Sequence, residues 1–144
     1  MTLTLTANAK NAYTIYGDED NALTMPASYQ EAAPFGANVG GANPAFFPIM
    51  AGAAFDGWLT VGITDGDTAG ALSSIGLDFD AWTADAGIST DNGAVFWMSP
   101  DDGPTGSAVV AQVTVSGGFS AMINAQGRSN TGDDWKAPGI TCAP

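Results

Sequence analysis

The chain has no histidine, a single cysteine (Cys142) and only three basic residues, Lys10, Arg128 and Lys136, among 144 residues. Each shortage excludes a kind of chemistry. Without imidazole there is no Ser-His-Asp or Cys-His pair, no His-ligated zinc and no histidine general base. One thiol allows no internal disulfide, no thiolate zinc cluster and no CxxC redox pair. Three cations against fifteen acids give a net charge of −12. That balance repels phosphate backbones and can neutralise few of them, so nucleic acid is not an expected partner.

Charge of either sign is scarce. Charged residues are 12% of the chain, about half the usual share for a globular domain, so the polar surface must be mostly Thr, Ser, Asn, Gln and Gly. Such a surface loses little on desolvation and suits stacking against other proteins or glycans. No stretch approaches the roughly 20 apolar residues of a membrane helix, so membrane insertion is not expected. The opening Met1-Thr2-Leu3-Thr4-Leu5-Thr6 lacks the basic and apolar regions of a signal peptide.

What is present alternates with a period of two. Nineteen glycines and eight prolines interrupt nearly every helical window, whereas strands alternate sides residue by residue. Strands are predicted over Thr2–Ala7, Phe55–Thr64, Ser74–Phe79, Ala94–Met98, Ala108–Val115 and Phe119–Gln126, with weaker ones over Tyr13–Tyr16, Phe46–Met50 and Trp135–Thr141. In Phe55–Thr64 the residues Phe55, Leu59, Val61 and Ile63 fall on one side, and Asp56, Trp58, Thr60 and Thr64 on the other. Ser116-Gly117-Gly118 reads as a hairpin turn joining two of these strands. Ala81–Ala86 could form one helical turn. Turn sequences at near-regular spacing favour a single all-β domain over residues 1–144, an antiparallel β-sandwich.

The segment Met25–Ala54 breaks the rhythm. It combines Pro26, Pro34, Pro44 and Pro48 with Tyr29, Phe35, Phe46 and Phe47. A long loop carrying aromatics either packs over the core as an Ω-loop or docks onto a neighbouring subunit.

Three groups of residues qualify as candidate sites. Oxygen ligands are all this chain offers a metal, and calcium is the cation they suit. Asp18, Glu19 and Asp20 are the densest such group, although Asp-Gly and Asp-Asn sequences are also ordinary turn formers. Asp78 and Asp80 are predicted to share a strand face, the only arrangement resembling a carboxylate acid–base pair. No other residue nominates them for catalysis, and no enzyme activity is expected. Trp58, Trp82, Trp97 and Trp135 could stack on sugars or anchor a core or interface. Phe46, Phe47, Trp58 and Trp97 are the expected packing anchors of a self-associating surface. Cys142 reads as an inert thiol or a crosslink between subunits.

Several strings resemble an acidic all-β domain of marine microalgal proteins. They are Phe55-Asp56-Gly57-Trp58-Leu59-Thr60-Val61-Gly62-Ile63-Thr64-Asp65-Gly66, Ser73-Ser74-Ile75-Gly76-Leu77-Asp78-Phe79 and Asn92-Gly93-Ala94-Val95-Phe96-Trp97-Met98-Ser99-Pro100-Asp101-Asp102-Gly103-Pro104, with Pro34-Phe35-Gly36-Ala37-Asn38-Val39-Gly40-Gly41 and Ala125-Gln126-Gly127-Arg128-Ser129. The likeness extends to the diatom pyrenoid shell proteins. It implies a β-rich protein assembling into sheets around a carbon-fixing compartment, with no catalytic residues to carry over. The chain departs from that pattern in showing neither plastid-targeting sequence nor a duplicated domain, which leaves room for a viral or bacterial relative. The expectation is a non-enzymatic structural protein that self-associates into a shell, tube, filament or virion layer. The competing reading is a glycan-binding or adhesive module, assisted or not by calcium.

Overall fold

The computed structural model describes residues 1–143, and the chain is all-β. Eleven strands occur among the described residues: β1 (Thr2–Thr4), β2 (Thr14–Gly17), β3 (Leu23–Met25), β4 (Trp58–Leu59), β5 (Leu72–Ile75), β6 (Ile88–Thr90), β7 (Gly93–Trp97), β8 (Ser107–Val109), β9 (Ala111–Gln112), β10 (Ala121–Arg128) and β11 (Asp134–Cys142). Short 3-10 turns cover Pro44–Phe46, Ala51–Phe55, Phe79–Ala81 and Pro100–Asp102.

The main sheet holds seven strands, but its registers show five ribbons. β2 pairs β7 from Gly17↔Gly93 to Thr14↔Phe96, and β3 pairs β6 from Leu23↔Thr90 to Met25↔Ile88. Both pairs are therefore one interrupted ribbon lying against another. The interruption is the excursion of residues 18–22, which Asp18 closes by accepting N–H bonds from Asp20 (3.2 Å) and Asn21 (2.8 Å). β10 lies next, pairing β2 and then β3 on one edge and β11 on the other. β5 forms the far edge beside β7.

A smaller second layer faces this sheet. β1 pairs β8, β9 pairs β4, and Val39 bridges Leu59 in parallel, so a piece of the long loop covers the outer edge of β4. Directly opposed residues share a face, which assigns the sides of the main sheet. Ile15, Val95, Ile123 and Ala125 point inward and are at most 1% exposed, where they meet Leu59, Val61, Ala108 and Val110 of the second layer in one apolar cluster. Ser73, Phe96, Thr14, Gln126 and Lys136 form one row on the opposite face, and Ile75, Ala94 and Tyr16 the next.

The sandwich agrees with the sequence; several of its expected details do not. Ser116–Gly118 is not a hairpin turn, because β8 and β9 pair with β1 and β4, while β10 turns back on β11 through residues 129–133. The predicted strand Phe55–Thr64 shrinks to Trp58–Leu59. Its sides also differ from expectation: Phe55 is 59% exposed and Asp56 fully buried, since Phe55 ends a 3-10 turn and Asp56 serves the long loop. Phe46–Met50 forms turns rather than a strand, with Phe47, Ile49 and Met50 N–H groups bonding back to Pro44 and Phe46 carbonyls. Asp78 and Asp80 do not share a strand face. Asp78 caps the 3-10 turn containing Asp80 by accepting the Ala81 N–H, because β5 already ends at Ile75.

Candidate functional site

Asp56 organises the long loop. Its carboxylate accepts the backbone N–H of Glu31 at 2.8 Å through Oδ1 and of Ala37 at 2.6 Å through Oδ2. The Gln112 amide donates to the Ala54 and Asp56 carbonyls at 3.1 and 2.9 Å, and Ser28 Oγ accepts the Thr114 N–H at 2.9 Å. Burial pushes the Asp56 carboxyl above the usual carboxylate range, while its N–H donors pull the other way. Hydrogen bonds from backbone N–H groups to an ionised carboxylate are about twice as strong as neutral ones. The segment therefore packs over its own second layer, as the Ω-loop alternative expects. Gln30 Nε2 lies beneath it without an acceptor, beside the glycine at position 57.

The four expected anchors part company. Phe47 and Trp58 line one cleft of about 330 Å³ together with Ala42, Pro44, Val109 and Gln112. Phe46 turns away and meets Phe35 edge-on, with ring centroids 5.5 Å apart. Trp97 sits at the end of β7, its indole N–H donating to the Val61 carbonyl at 2.7 Å and so stitching the two layers.

No tryptophan platform forms. Trp82 and Trp58 are 1% and 5% exposed, and the indole N–H groups of Trp82 and Trp135 bond the Pro26 and Asn11 carbonyls at 2.7 and 2.9 Å. The aromatics facing solvent on the main sheet are instead Tyr16 and Phe96. Tyr16 borders a shallow hollow of about 370 Å³ with Ile75, Gly76, Asn92 and Ala94. Alternation in Tyr13–Tyr16 carries this signal, since Tyr16 falls opposite the inward Ile15.

Asp18 and Glu19 line a neighbouring hollow with Asp91 and Asn92, and Asp20 is exposed beside them. No group of three or more His, Cys, Asp or Glu side chains stands ready to share a cation among the described residues. Cys142 is a free, half-buried thiol at the end of β11.

The chain's one arginine anchors a polar network at the opposite end of the sheet. Arg128 pairs Asp134 at 2.7 Å and Asp101 at 3.1 Å, and its guanidinium lies 5.5 Å from the Tyr13 ring centre. The Tyr13 hydroxyl donates to Asp134 at 3.0 Å. The Arg128 hydrogen bond holds the Asp134 carboxyl below its ordinary range, and desolvation, followed by Asp134, raises the Tyr13 phenol. These groups neutralise one another and leave no unpaired acid beside an unpaired base.

Two edges of the main sheet are blunted. β11 carries Pro138, followed by Gly139 at φ +64°, whose N–H leaves the ladder for the Asn124 side chain at 2.8 Å. β5 is four residues long and stops at Gly76, φ +67°. Prolines, bulges and short strands are how sheets avoid pairing edge to edge.

Apolar side chains remain exposed: Ile49 (72%), Ile75 (66%), Met98 (63%) and Phe55 (59%). Among the described residues no helix is long and apolar enough to cross a membrane. No family model, curated protein or solved structure matches the chain.

Proposed function

We propose that this chain is a non-enzymatic structural subunit that self-associates, face to face rather than edge to edge, into a shell, tube, filament or virion layer. The observation that carries the reading is the exposure of Ile49 and Phe55 on a loop that Asp56 holds rigidly in place. Large exposed apolar side chains on a fixed scaffold mark contact surfaces, and rigid anchors lose little entropy on docking. The blunted edges of β5 and β11 favour faces over strand pairing. Sparse surface charge supports the same reading, because few ions must be desolvated. A pyrenoid-type shell, implied by the resemblance of its residue strings, is one such assembly.

Light scattering and negative-stain microscopy over a range of protein concentration test the proposal. Mass should grow with concentration and fall when Ile49 and Phe55 are both changed to Glu. A monomer at every concentration overturns it.

A second reading, a glycan-binding or adhesive module, is favoured by the Tyr16 hollow, which Tyr16 and Asn92 line together. Calcium enters this reading through Asp18 and Glu19 in the adjoining hollow. Glycan-array binding that is lost in Tyr16→Ala, without any assembly, would favour it over the first.

A further inference from the structure

Charge is segregated between the two layers. Residues 1–9 and 103–127 carry no charged side chain, and from Ala32 to Thr64 the single one is Asp56, which is fully buried. These stretches supply every strand of the second layer, β1, β4, β8 and β9, together with most of the long loop lying over it. The other acids lie on the main sheet and in the connecting turns, with Glu31 and Asp65 marking the border.

The registers show which way this layer faces. Leu3 and Ala108 oppose each other and pack into the core, so Thr2, Thr4, Ser107 and Val109 turn outward. Leu59 and Ala111 oppose each other and are buried, which puts Trp58 and Gln112 on the outer side. The cleft of about 330 Å³ opens on that side. Trp58, Val109 and Gln112 line it from the strands, Phe47, Ala53 and Ala54 from the loop, and no lining residue is charged. Phe55 follows Ala54 directly and is exposed, as is Ile49 two positions after Phe47. One neutral face thus carries a recess and a projection side by side, on a loop that the Asp56 hydrogen bonds hold in place.

A contact about a two-fold axis uses the same patch on both partners, and that patch must be self-complementary. A projection beside a recess meets the requirement: with the axis between them, each projection faces the recess of the other copy. The recess is at the small end of the range for ligand sites, about 300–1,000 Å³, and suits a single large side chain. Charge selects the same partner. A second copy brings a net −12 of its own, and like charges set against each other cost affinity. Two copies therefore meet at least cost where neither presents an acid.

We propose that the outer faces of two second layers meet about a two-fold axis, Phe55 of each copy entering the cleft over Trp58 of the other, with Ile49 at the rim. Resting on the self-association proposed above, this contact adds its symmetry. It closes on itself after two chains, so any larger assembly is built from pairs and extends through another surface.

Native mass spectrometry and sedimentation of the intact chain, over a range of concentration, test the contact. At the lowest concentrations at which anything associates, the species should contain two chains. Ser107→Glu adds an acid to the neutral face. Thr64→Trp plugs the cleft without adding charge, since Thr64 is exposed and lines it. Phe55→Ala removes the projection. Each should weaken pairing by about tenfold or more. Ser89→Glu places the same extra charge on exposed β6 of the main sheet and should leave pairing unchanged. Thermal unfolding of each variant confirms that the fold is intact.

Chains that add one at a time, threes appearing together with twos, would make the contact open rather than two-fold. Equal weakening by Ser107→Glu and Ser89→Glu would move it off the neutral face. Undiminished pairing of Thr64→Trp or of Phe55→Ala would take the cleft out of it. In each of these cases association persists and only the paired geometry is overturned. A monomer at every concentration overturns the self-association reading as well.

Discussion

Asp56 Oδ2 and the backbone N–H of Ala37 lie 2.6 Å apart, joining the start of β4 to the middle of a loop nineteen positions upstream. Together with the bond to Glu31, this makes one fully buried carboxylate the fastening of the whole loop. Asp56→Ala should orphan two buried donors and lower stability by on the order of 3 kcal/mol. Urea unfolding checks this, and Asp56→Asn should recover only part of the loss, because an amide can turn one oxygen, not two, toward the donors. A cost below the error of the measurement would show that the loop is held by other contacts.

Two carboxyls should give stability opposite dependences on pH. The folded Asp56 is raised by burial, so the folded state binds its proton more tightly than the unfolded state does. Its ionisation therefore costs stability as pH rises through the range above the ordinary carboxylate value. Asp134 is lowered by Arg128, so its contribution is present above the ordinary carboxylate value and lost as pH falls through the lowered one. Urea midpoints from neutral pH downward should lose their acid-side fall in part in Asp134→Asn. They should lose their mild rise in Asp56→Asn. Reversed slopes would contradict the assignments.

The Trp97 indole is a stitch between layers as well as a packing group. Trp97→Phe keeps much of the ring but leaves the Val61 carbonyl without its donor, at a cost of about 1 kcal/mol beyond the lost area. Trp82→Phe should behave alike through Pro26. Thermal unfolding of the two single variants and the double variant should give near-additive losses, since the bonds share no partner.

Gly127 offers the harshest test of the fold. It lies in β10 with the Asn11 carbonyl and the Trp135 indole pressed against the place a Cβ would occupy. Gly127→Ala must displace a backbone oxygen and a ring together, so soluble folded protein should be largely lost. Gly117→Ala, where nothing lies nearby, should be silent.

The sequence carried the all-β class because alternation and turn residues are local properties. β1, β7, β10 and β11 were legible in Thr2–Ala7, Ala94–Met98, Phe119–Gln126 and Trp135–Thr141. Partnership was not, since alternation states which side a residue faces and not which strand lies beside it. Val109 and Ala111 illustrate this: they read as one continuous alternating strand, yet β8 answers to β1 and β9 to β4. Phe55–Thr64 misled for a second reason. Asp56, Trp58, Leu59, Thr60 and Val61 are all buried, so no solvent face existed for the pattern to report. Asp56 itself gave little warning, because an aspartate before a glycine is the commonest of turn signals.

The excursion of residues 18–22 leaves the ladder and returns to it while β10 runs on unbroken beside it. A chain that already tolerates a detour there should tolerate a longer one. That makes the tip at Glu19 and Asp20, both exposed, a natural port for grafting foreign sequence, such as an epitope, a fluorophore handle or a cargo tether.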